Sequence, residues 1–155
     1  MTDNEKLVSA LNQLLSDELT AICQYMVHSE MCDNWGYDKL HKAIEHQAIE
    51  EMHHAEWLIR RILFLGGIPV VSNLNSMNIG KTVFEMIFND EAAERTAVKA
   101  YNAAVDLAVE INDQATADLL GRILTMEEAH MDWGEIQRVQ IGQMGLENYL
   151  SNQTS

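Results

Sequence analysis

The sequence predicts an all-α fold: a four-helix bundle with a long crossover between the second and third helices and a short fifth helix at the C-terminal end. The chain is 47% hydrophobic, with one proline and 6% aromatic residues, a composition that favours helices over strands. Four long segments carry apolar residues at helical spacing. Between the second and third segments, residues 68–80 show no clear period and form a connection long enough to span a bundle. The length of 155 residues fits one domain, residues 1–155.

The first two helices are predicted to form a hairpin. The first runs from Glu5 to Asp33, and Thr2 and Glu5 have the spacing of a capping box at its start. The stretch "DNWGY" makes a short turn into the second helix, residues 38–65. Two glycines and a proline then stop the helix at Gly66, Gly67 and Pro69.

The other two long helices form a second hairpin. The third runs from Lys81 to Ile111, "INDQ" marks a tight turn, and the fourth covers residues 115–143. After Gly145, "LENYLS" is predicted to be the short fifth helix. The tight turns disfavour an extended coiled coil, and two helical hairpins are too few for a helical repeat.

Composition and charge exclude several classes of function. A formal net charge of −14 argues against nucleic acid and favours cations, although acidity can also serve solubility alone. The longest apolar run, "ILFLGGIPVV", is too short to cross a membrane, and "MTDNEKLVSALNQ" does not resemble a signal peptide. Cys23 and Cys32 lie about 13 Å apart on one predicted helix, too far for a disulfide. We therefore expect a cytoplasmic protein with no membrane or nucleic-acid partner.

Each of the four long helices carries one glutamate in phase with its apolar stripe, and two of them add a histidine one turn later. These residues are Glu18, Glu51 with His54, Glu94, and Glu127 with His130. Burying ionised carboxylates is costly unless they are paired or hold a metal, and no Lys or Arg lies within one turn on these stripes. Two divalent ions would supply the missing charge. Carboxylate and imidazole ligands suit iron or manganese, and zinc also accepts them.

An internal repeat supports the same site. An offset of 76 relates uncommon residues of the two hairpins: Glu18 to Glu94, Tyr25 to Tyr101, Glu51 to Glu127, His54 to His130 and Trp57 to Trp133. A pseudo-two-fold axis would give each metal one histidine and one terminal glutamate, with two glutamates bridging. A single Glu-x-x-His is common by chance, and only the whole constellation is specific; it is the arrangement known for ferritin-like di-iron proteins.

The stretch "IEEMHHAEW" contains Glu-x-x-His in two frames. Helical phase places Glu51 and His54 on the core stripe, whereas Glu50 and His53 fall on a polar face as a solvated pair. Met52 points in a third direction, on an apolar flank that we expect to meet another subunit.

The sequence resembles the bacterioferritins along essentially its whole length. The matching stretches are "ELTAICQY", "EEMHHAEWLIRRILFLGGIP", "MEEAHMDW" and "QMGLENYL". The resemblance implies a ferritin-like bundle that assembles from two-fold dimers into a hollow shell of 24 subunits. It further implies oxidation of Fe(II) by O2 or H2O2 at an intrasubunit di-iron centre and storage of Fe(III) mineral. A b-type haem would be shared by each subunit pair, and a small ferredoxin would supply electrons for iron release.

The resemblance also assigns individual residues. Tyr25 would lie beside the centre as a hydrogen-bonding or redox-active group, unless it is only a core tyrosine. Met52 would be the axial haem ligand, the alternative being simple packing in a dimer interface. His46 matches an inner-surface iron ligand of some relatives and Glu50 stands where they carry a shorter acid, so the two would form an inner-surface iron site, with solvated surface residues as the alternative. The ferroxidase ligands would be Glu18, Glu51, His54, Glu94, Glu127 and His130, with Glu51 and Glu127 bridging.

Two positions beside the expected haem pocket also depart from the family pattern. Cys23 stands where asparagine is familiar and Glu45 where an aromatic residue is, and both are expected to flank the haem pocket. The alternative functions are a di-iron peroxidase or haem-binding electron-transfer protein of the same fold, a shell subunit without an active site, and a DNA-protecting shell protein. The chain lacks the Cys-x-x-Cys module that often accompanies the first. The six intact ligand positions disfavour a shell subunit without an active site. A DNA-protecting shell protein would not need both Glu-x-x-His pairs in one chain.

Overall fold

The computed structural model describes all residues, Met1–Ser155, and contains helices but no strand. The helices are α1 Asp3–Asn34, α2 Asp38–Phe64, α3 Val83–Glu110, α4 Gln114–Met144 and α5 Leu146–Ser151. Every predicted boundary of the four long helices lies within two residues of these, which is the usual uncertainty of a helix end. The predicted all-α, ferritin-like class of fold is confirmed.

The helix ends follow local chemistry. The Thr2 side chain accepts from the backbone N–H of Glu5 and the Glu5 side chain accepts from that of Thr2, so the predicted capping box is present. Gly66 and Gly145 adopt φ values of 80° and 82°, which suit glycine where a helix stops. Asn112 turns the chain between α3 and α4 at φ 66°.

The four long helices pair as two hairpins, α1 with α2 and α3 with α4, and α1 also packs against α3. Two apolar clusters fill the bundle at different heights. One is formed by residues such as Leu15, Ala55 and Leu120, and the other by residues such as Ile44, Ile87 and Ile141. In each helix, the glutamate of the apolar stripe lies between the residues that belong to one cluster and those that belong to the other. A polar layer therefore separates two apolar layers.

The crossover between α2 and α3 is fastened along α1 by side chains. We call four α1 residues the acceptor ladder, because each accepts one backbone N–H of the crossover. Three of them, Thr20, Gln24 and His28, are spaced four residues apart on one buried face. The four bonds are Val70 to Asn12 at 2.8 Å, Asn75 to Thr20 at 2.9 Å, Asn78 to Gln24 at 3.0 Å and Gly80 to His28 at 2.9 Å.

No helix has the length and apolarity needed to cross a bilayer. Cys23 and Cys32 are both free thiols, as their spacing predicts.

Candidate metal centre

Six side chains from the four bundle helices converge in the polar layer. They form two overlapping groups in which the potential ligand atoms lie within 4.8 Å of one another: Glu18, Glu51, His54 and Glu127, and then Glu51, Glu94, Glu127 and His130. None of the six is more than 5% exposed. Glu51 and Glu127 belong to both groups. The structure therefore brings together all six residues that the sequence singled out, with the two shared glutamates in the middle.

Both histidines turn Nδ1 towards the carboxylates. Nδ1 of His54 lies 2.8 Å from Oε1 of Glu127 and 3.6 Å from Oε2 of Glu18. Nδ1 of His130 lies 2.8 Å from Oε1 of Glu51 and 3.4 Å from Oε1 of Glu94. The offset of 76 in the sequence thus becomes a pseudo-two-fold arrangement of matching distances.

Each of the six side chains keeps one buried polar atom that makes no hydrogen bond of good geometry, although the two Nδ1 atoms lie at ion-pair distance from carboxylate oxygens. These atoms are Oε2 of Glu18 and Glu94, Oε1 of Glu51 and Glu127, and Nδ1 of His54 and His130. Buried polar atoms are nearly always satisfied in folded proteins, so a cluster of exceptions calls for a physical explanation. Polar atoms that converge without well-directed hydrogen bonds fit metal ions, and the oxygen and nitrogen ligand set fits iron.

Two other buried acids provide a contrast that the sequence reasoning missed. Asp90 accepts from the side chain of Gln24 at 2.8 Å and lies 2.8 Å from Nδ1 of His28. Glu91 is paired with Arg95 and accepts from Arg138 at 3.0 Å. Asp90 and Glu91 thus keep no buried oxygen without a partner, whereas each carboxylate of the candidate centre keeps one. His28 follows Gln24 by four residues on α1, and this pair of polar residues on one helix face could have indicated a buried polar site.

Protonation takes the place of cations when the centre holds no metal. Burial, reinforced by the neighbouring carboxylates, raises the pKa of Glu51 well above its usual value. Burial likewise raises the pKa of Glu94, to about 8. Burial lowers the pKa of His54 and His130, but the adjacent carboxylates outweigh it and raise both to about 9. Like charges in a dry site cannot all ionise without a compensating positive charge.

Two tyrosines orient the terminal glutamates. The hydroxyl of Tyr25 donates to Oε1 of Glu94, and that of Tyr101 donates to Oε1 of Glu18 at 2.5 Å. Burial raises the pKa of both phenols well above 10, so they remain donors. Each bond occupies one oxygen and leaves Oε2 of the same carboxylate free. Tyr101 was not predicted as a site residue, although the offset that pairs it with Tyr25 was a sufficient signal.

The outward nitrogens of the two histidines have different partners. Nε2 of His130 lies 3.3 Å from Oε1 of Glu50, which lies 3.0 Å from Nε2 of His46. Nε2 of His54 lies 3.2 Å from Sδ of Met126. The prediction that Glu50 and His53 form a solvated pair is wrong for Glu50, which is half-buried because it reaches across from α2 to the α4 histidine; His53 is exposed as predicted.

A cavity of about 200 Å³ leads from the protein surface to the centre. At its inner end it is lined by all four glutamates of the centre, and at its outer end by Asp17 and by the crossover residues Asn75 and Ser76. The amide of Asn75 donates to Asp17 at 2.6 Å. The crossover therefore forms part of the wall of the access route.

Met52 lies away from the centre, in a groove of about 290 Å³ between α1 and α2. Its side chain is 45% exposed, and Met26 across the groove is 52% exposed. Glu45 lines the groove, as predicted, whereas Cys23 is not among its lining residues. The chain thus presents two thioethers on an apolar surface.

Comparison with known proteins identifies relatives over nearly the whole chain. The ferritin-like domain family matches residues 8–144. A bacterioferritin of Mycolicibacterium paratuberculosis is 38% identical over 149 residues, covering 96% of this chain and 94% of the relative. A bacterioferritin of Rhodobacter capsulatus is 39% identical, covering 88% of this chain and 85% of its own length. A protein named bacterial ferritin from Synechocystis is 38% identical over 156 residues, with complete coverage of both chains.

Proposed function

The chain belongs to the bacterioferritin group of the ferritin family, and we propose from this premise that it oxidises Fe(II) at the six-residue centre and stores the product as Fe(III) mineral. The observation that carries the proposal is the set of six buried donor atoms without partners, one on each predicted ligand. The acids Asp90 and Glu91 in the same bundle support it, since neither keeps a buried oxygen without a partner.

The proposed ligand sets follow the two groups of converging atoms. One Fe(II) is held by Glu18 and His54, the other by Glu94 and His130, and Glu51 and Glu127 bridge them. Four carboxylates balance the charge of two divalent ions, so binding turns a repulsive layer into a neutral one. Each His uses Nδ1, which the inward orientation of both rings supports.

Oxidation of the two substrate ions releases two electrons, which reduce O2 to H2O2 or H2O2 to water. Bridging carboxylates favour this direction, because they interact more strongly with Fe(III) than with Fe(II). The tyrosine hydroxyls hold the terminal carboxylates in place, so little reorganisation is needed when the charge increases.

Entry and exit use opposite sides of the centre in this proposal. Fe(II) and the oxidant approach through the cavity under the crossover, where Asp17 lies at the mouth. Fe(III) leaves past His130 towards Glu50 and His46, which serve as an inner-surface iron site. The contact between Glu50 and His130 at 3.3 Å supports a continuous path.

Stopped-flow oxidation tests the centre directly. Aerobic addition of two Fe(II) per subunit should give a fast phase that Glu51→Ala or His130→Ala abolishes. Glu128→Ala and His53→Ala change an exposed neighbour of the same residue type and should retain the fast phase. An unchanged fast phase in both ligand variants would remove the di-iron assignment.

The groove around Met52 is proposed to hold one b-type haem per subunit pair, with Met52 of each subunit as axial ligand. An exposed thioether on an apolar surface supports it, and thioether ligation favours ferrous haem. Met52→Leu should remove the Soret band from the purified protein while leaving the assembly intact. Met26→Leu in the same groove should keep the Soret band. Loss of the band in Met26→Leu but not in Met52→Leu would identify Met26 as the haem ligand instead.

The proposed assembly is a shell of 24 subunits built from two-fold dimers. The exposed apolar flank of α1 and α2 supports a dimer contact on this face. Native mass spectrometry with metal and haem content tests shell, centre and cofactor together. A small ferredoxin is the partner class proposed for reductive release of the iron.

A further inference from the structure

The two halves of the metal centre match in their six proposed ligands and their two tyrosines, but they differ behind the two histidines. The offset of 76 pairs the histidines, the terminal and bridging glutamates and both tyrosines. The same offset pairs Glu50 with Met126. These two residues occupy equivalent places, since each contacts the outward Nε2 of one histidine: Glu50 that of His130 at 3.3 Å and Met126 that of His54 at 3.2 Å.

The chemical difference between these partners is large. An imidazole that uses Nδ1 for a metal carries its proton on Nε2 and donates it to whatever lies behind the ring. A carboxylate accepts that hydrogen bond strongly, fixes the ring and makes the coordinating nitrogen more basic. A thioether sulfur is a weak acceptor without charge. His130 therefore has a strong partner behind it, and His54 has a weak one.

We propose that Met126 makes the two metal positions unequal: the ion held through His54 binds more weakly than the ion held through His130. This inference rests on the proposed di-iron centre. Met126 is a positioning residue, since it acts through His54 and does not touch the metal. Loss of a partner of this kind typically costs about 10–100-fold in metal affinity, which sets the expected difference between the two positions. The His130 position then fills first, and the His54 position fills only as more metal is supplied.

The structure offers matched substitutions on both sides. Met126 and Glu50 are partly exposed, so changing either leaves the buried layer in place. Met126→Glu places a carboxylate behind His54 with a side chain of similar length. Met126→Leu keeps the apolar volume without the sulfur. Glu50→Met creates the weak arrangement behind both histidines.

Zinc measures the difference without any redox reaction. Crystals of the assembled protein given one Zn(II) per subunit should show a dominant anomalous peak at the His130 position and a minor one at the His54 position. Met126→Glu should bring the two peaks close to equal, and Met126→Leu should leave them unequal. Glu50→Met should also equalise the peaks. In solution, Co(II) titrations should show two steps for the wild type and one weaker step for Glu50→Met.

Three results would overturn the inference. Equal peaks in the wild type, or a dominant peak at His54, contradict the proposed order of affinity while leaving the di-iron centre intact. Unequal peaks that persist in both Met126→Glu and Glu50→Met show that another residue sets the difference. Absence of zinc from both positions removes the inference and the proposed centre together.

Discussion

At the scale of single residues, the decisive feature is how the protein treats buried acids. Six are nearly inaccessible to solvent: Glu18 on α1, Glu51 on α2, Asp90, Glu91 and Glu94 on α3, and Glu127 on α4. Asp90 and Glu91 are satisfied by hydrogen-bond donors, whereas the other four face one another and each keeps one oxygen without a donor. Such a layer destabilises the fold unless protons or metal ions neutralise it.

A single isosteric change should separate stability from metal binding. Burial and neighbouring carboxylates favour the protonated form of Glu51 in the metal-free protein. Glu51→Gln resembles that form, so we expect the melting temperature without metal to change little. Wild type should gain about 2.7 kcal/mol when Zn(II) is present at one hundred times its dissociation constant, and Glu51→Gln should gain almost nothing. Differential scanning calorimetry measures both quantities.

The exposed neighbour Glu128 supplies the control, because Glu128→Gln should keep the full zinc response. A zinc-dependent rise in the melting temperature of Glu51→Gln equal to that of wild type would contradict the bridging role.

Metal binding should also release protons in a pH-dependent manner. Glu94, with a pKa of about 8, and His54 and His130, with pKa values of about 9, hold protons at neutral pH. Metal ligands must give these protons up, so zinc affinity should rise with pH until about pH 9 and then level off. Calorimetric titration in buffers of different ionisation enthalpy counts the protons. Equal numbers of protons released on zinc binding near pH 9 and near pH 6.5 would contradict this prediction.

At the scale of elements, α1 does more than contribute one face to the core. Its acceptor ladder fixes the crossover over the bundle, and the crossover in turn walls the cavity that reaches the metal centre. His28 accepts from Gly80 through Nε2, so its Nδ1 carries the proton and donates to Asp90. One buried network therefore connects α1, α3 and the crossover.

Removing one acceptor from the ladder should loosen the crossover. Gln24→Leu leaves the Asn78 N–H without its acceptor and takes one donor from Asp90. Asp90 is buried, and a buried group that loses its hydrogen-bond partner costs about 1–3 kcal/mol, so the variant should unfold at lower temperature. Hydrogen exchange at the Asn78 amide should be faster than in wild type.

Gln13→Leu is the matched change on the exposed side of the same helix. It should leave both measurements near wild type. Equal exchange rates at Asn78 in the two variants would show that the ladder does not fix the crossover.

At the scale of the whole molecule, the surface shows features of an assembled and cation-handling protein. The formal net charge is −14, and an acidic field attracts Fe(II). The groove of α1 and α2 is one apolar part of this surface, with Ile49 at 44% exposure beside the more exposed Met26. An apolar groove that two helices of a hairpin share is suited to a self-complementary two-fold contact.

A charge in this groove should weaken the proposed dimer contact. Ile49→Asp places a carboxylate that would be buried between two subunits, with the same charge facing it from the partner. Native mass spectrometry should show smaller species than wild type under the same conditions. Ile49→Val keeps the apolar character and should assemble normally. An unaltered mass for Ile49→Asp would place the subunit contact elsewhere.

The sequence by itself determined the features that repeat along one helix. Apolar periodicity located the four long helices, and the spacing of Glu51 to His54 and of Glu127 to His130 selected the side chains that share a buried face. The offset of 76 predicted the symmetry of the centre. These features are local, because backbone geometry alone decides which residues of a helix share a face.

Only the tertiary structure decided which side chains meet across helices. Met126 contacts His54 across 72 positions of sequence, and Glu50 contacts His130 across 80. Asp90 likewise finds His28 only because α3 packs on α1. Contacts of this kind depend on how helix faces interlock and on rotamers fixed by packing, and no periodicity within one helix encodes them. The sequence therefore selected the six side chains that converge in the centre, and the packing of the helices made the surroundings of its two halves different.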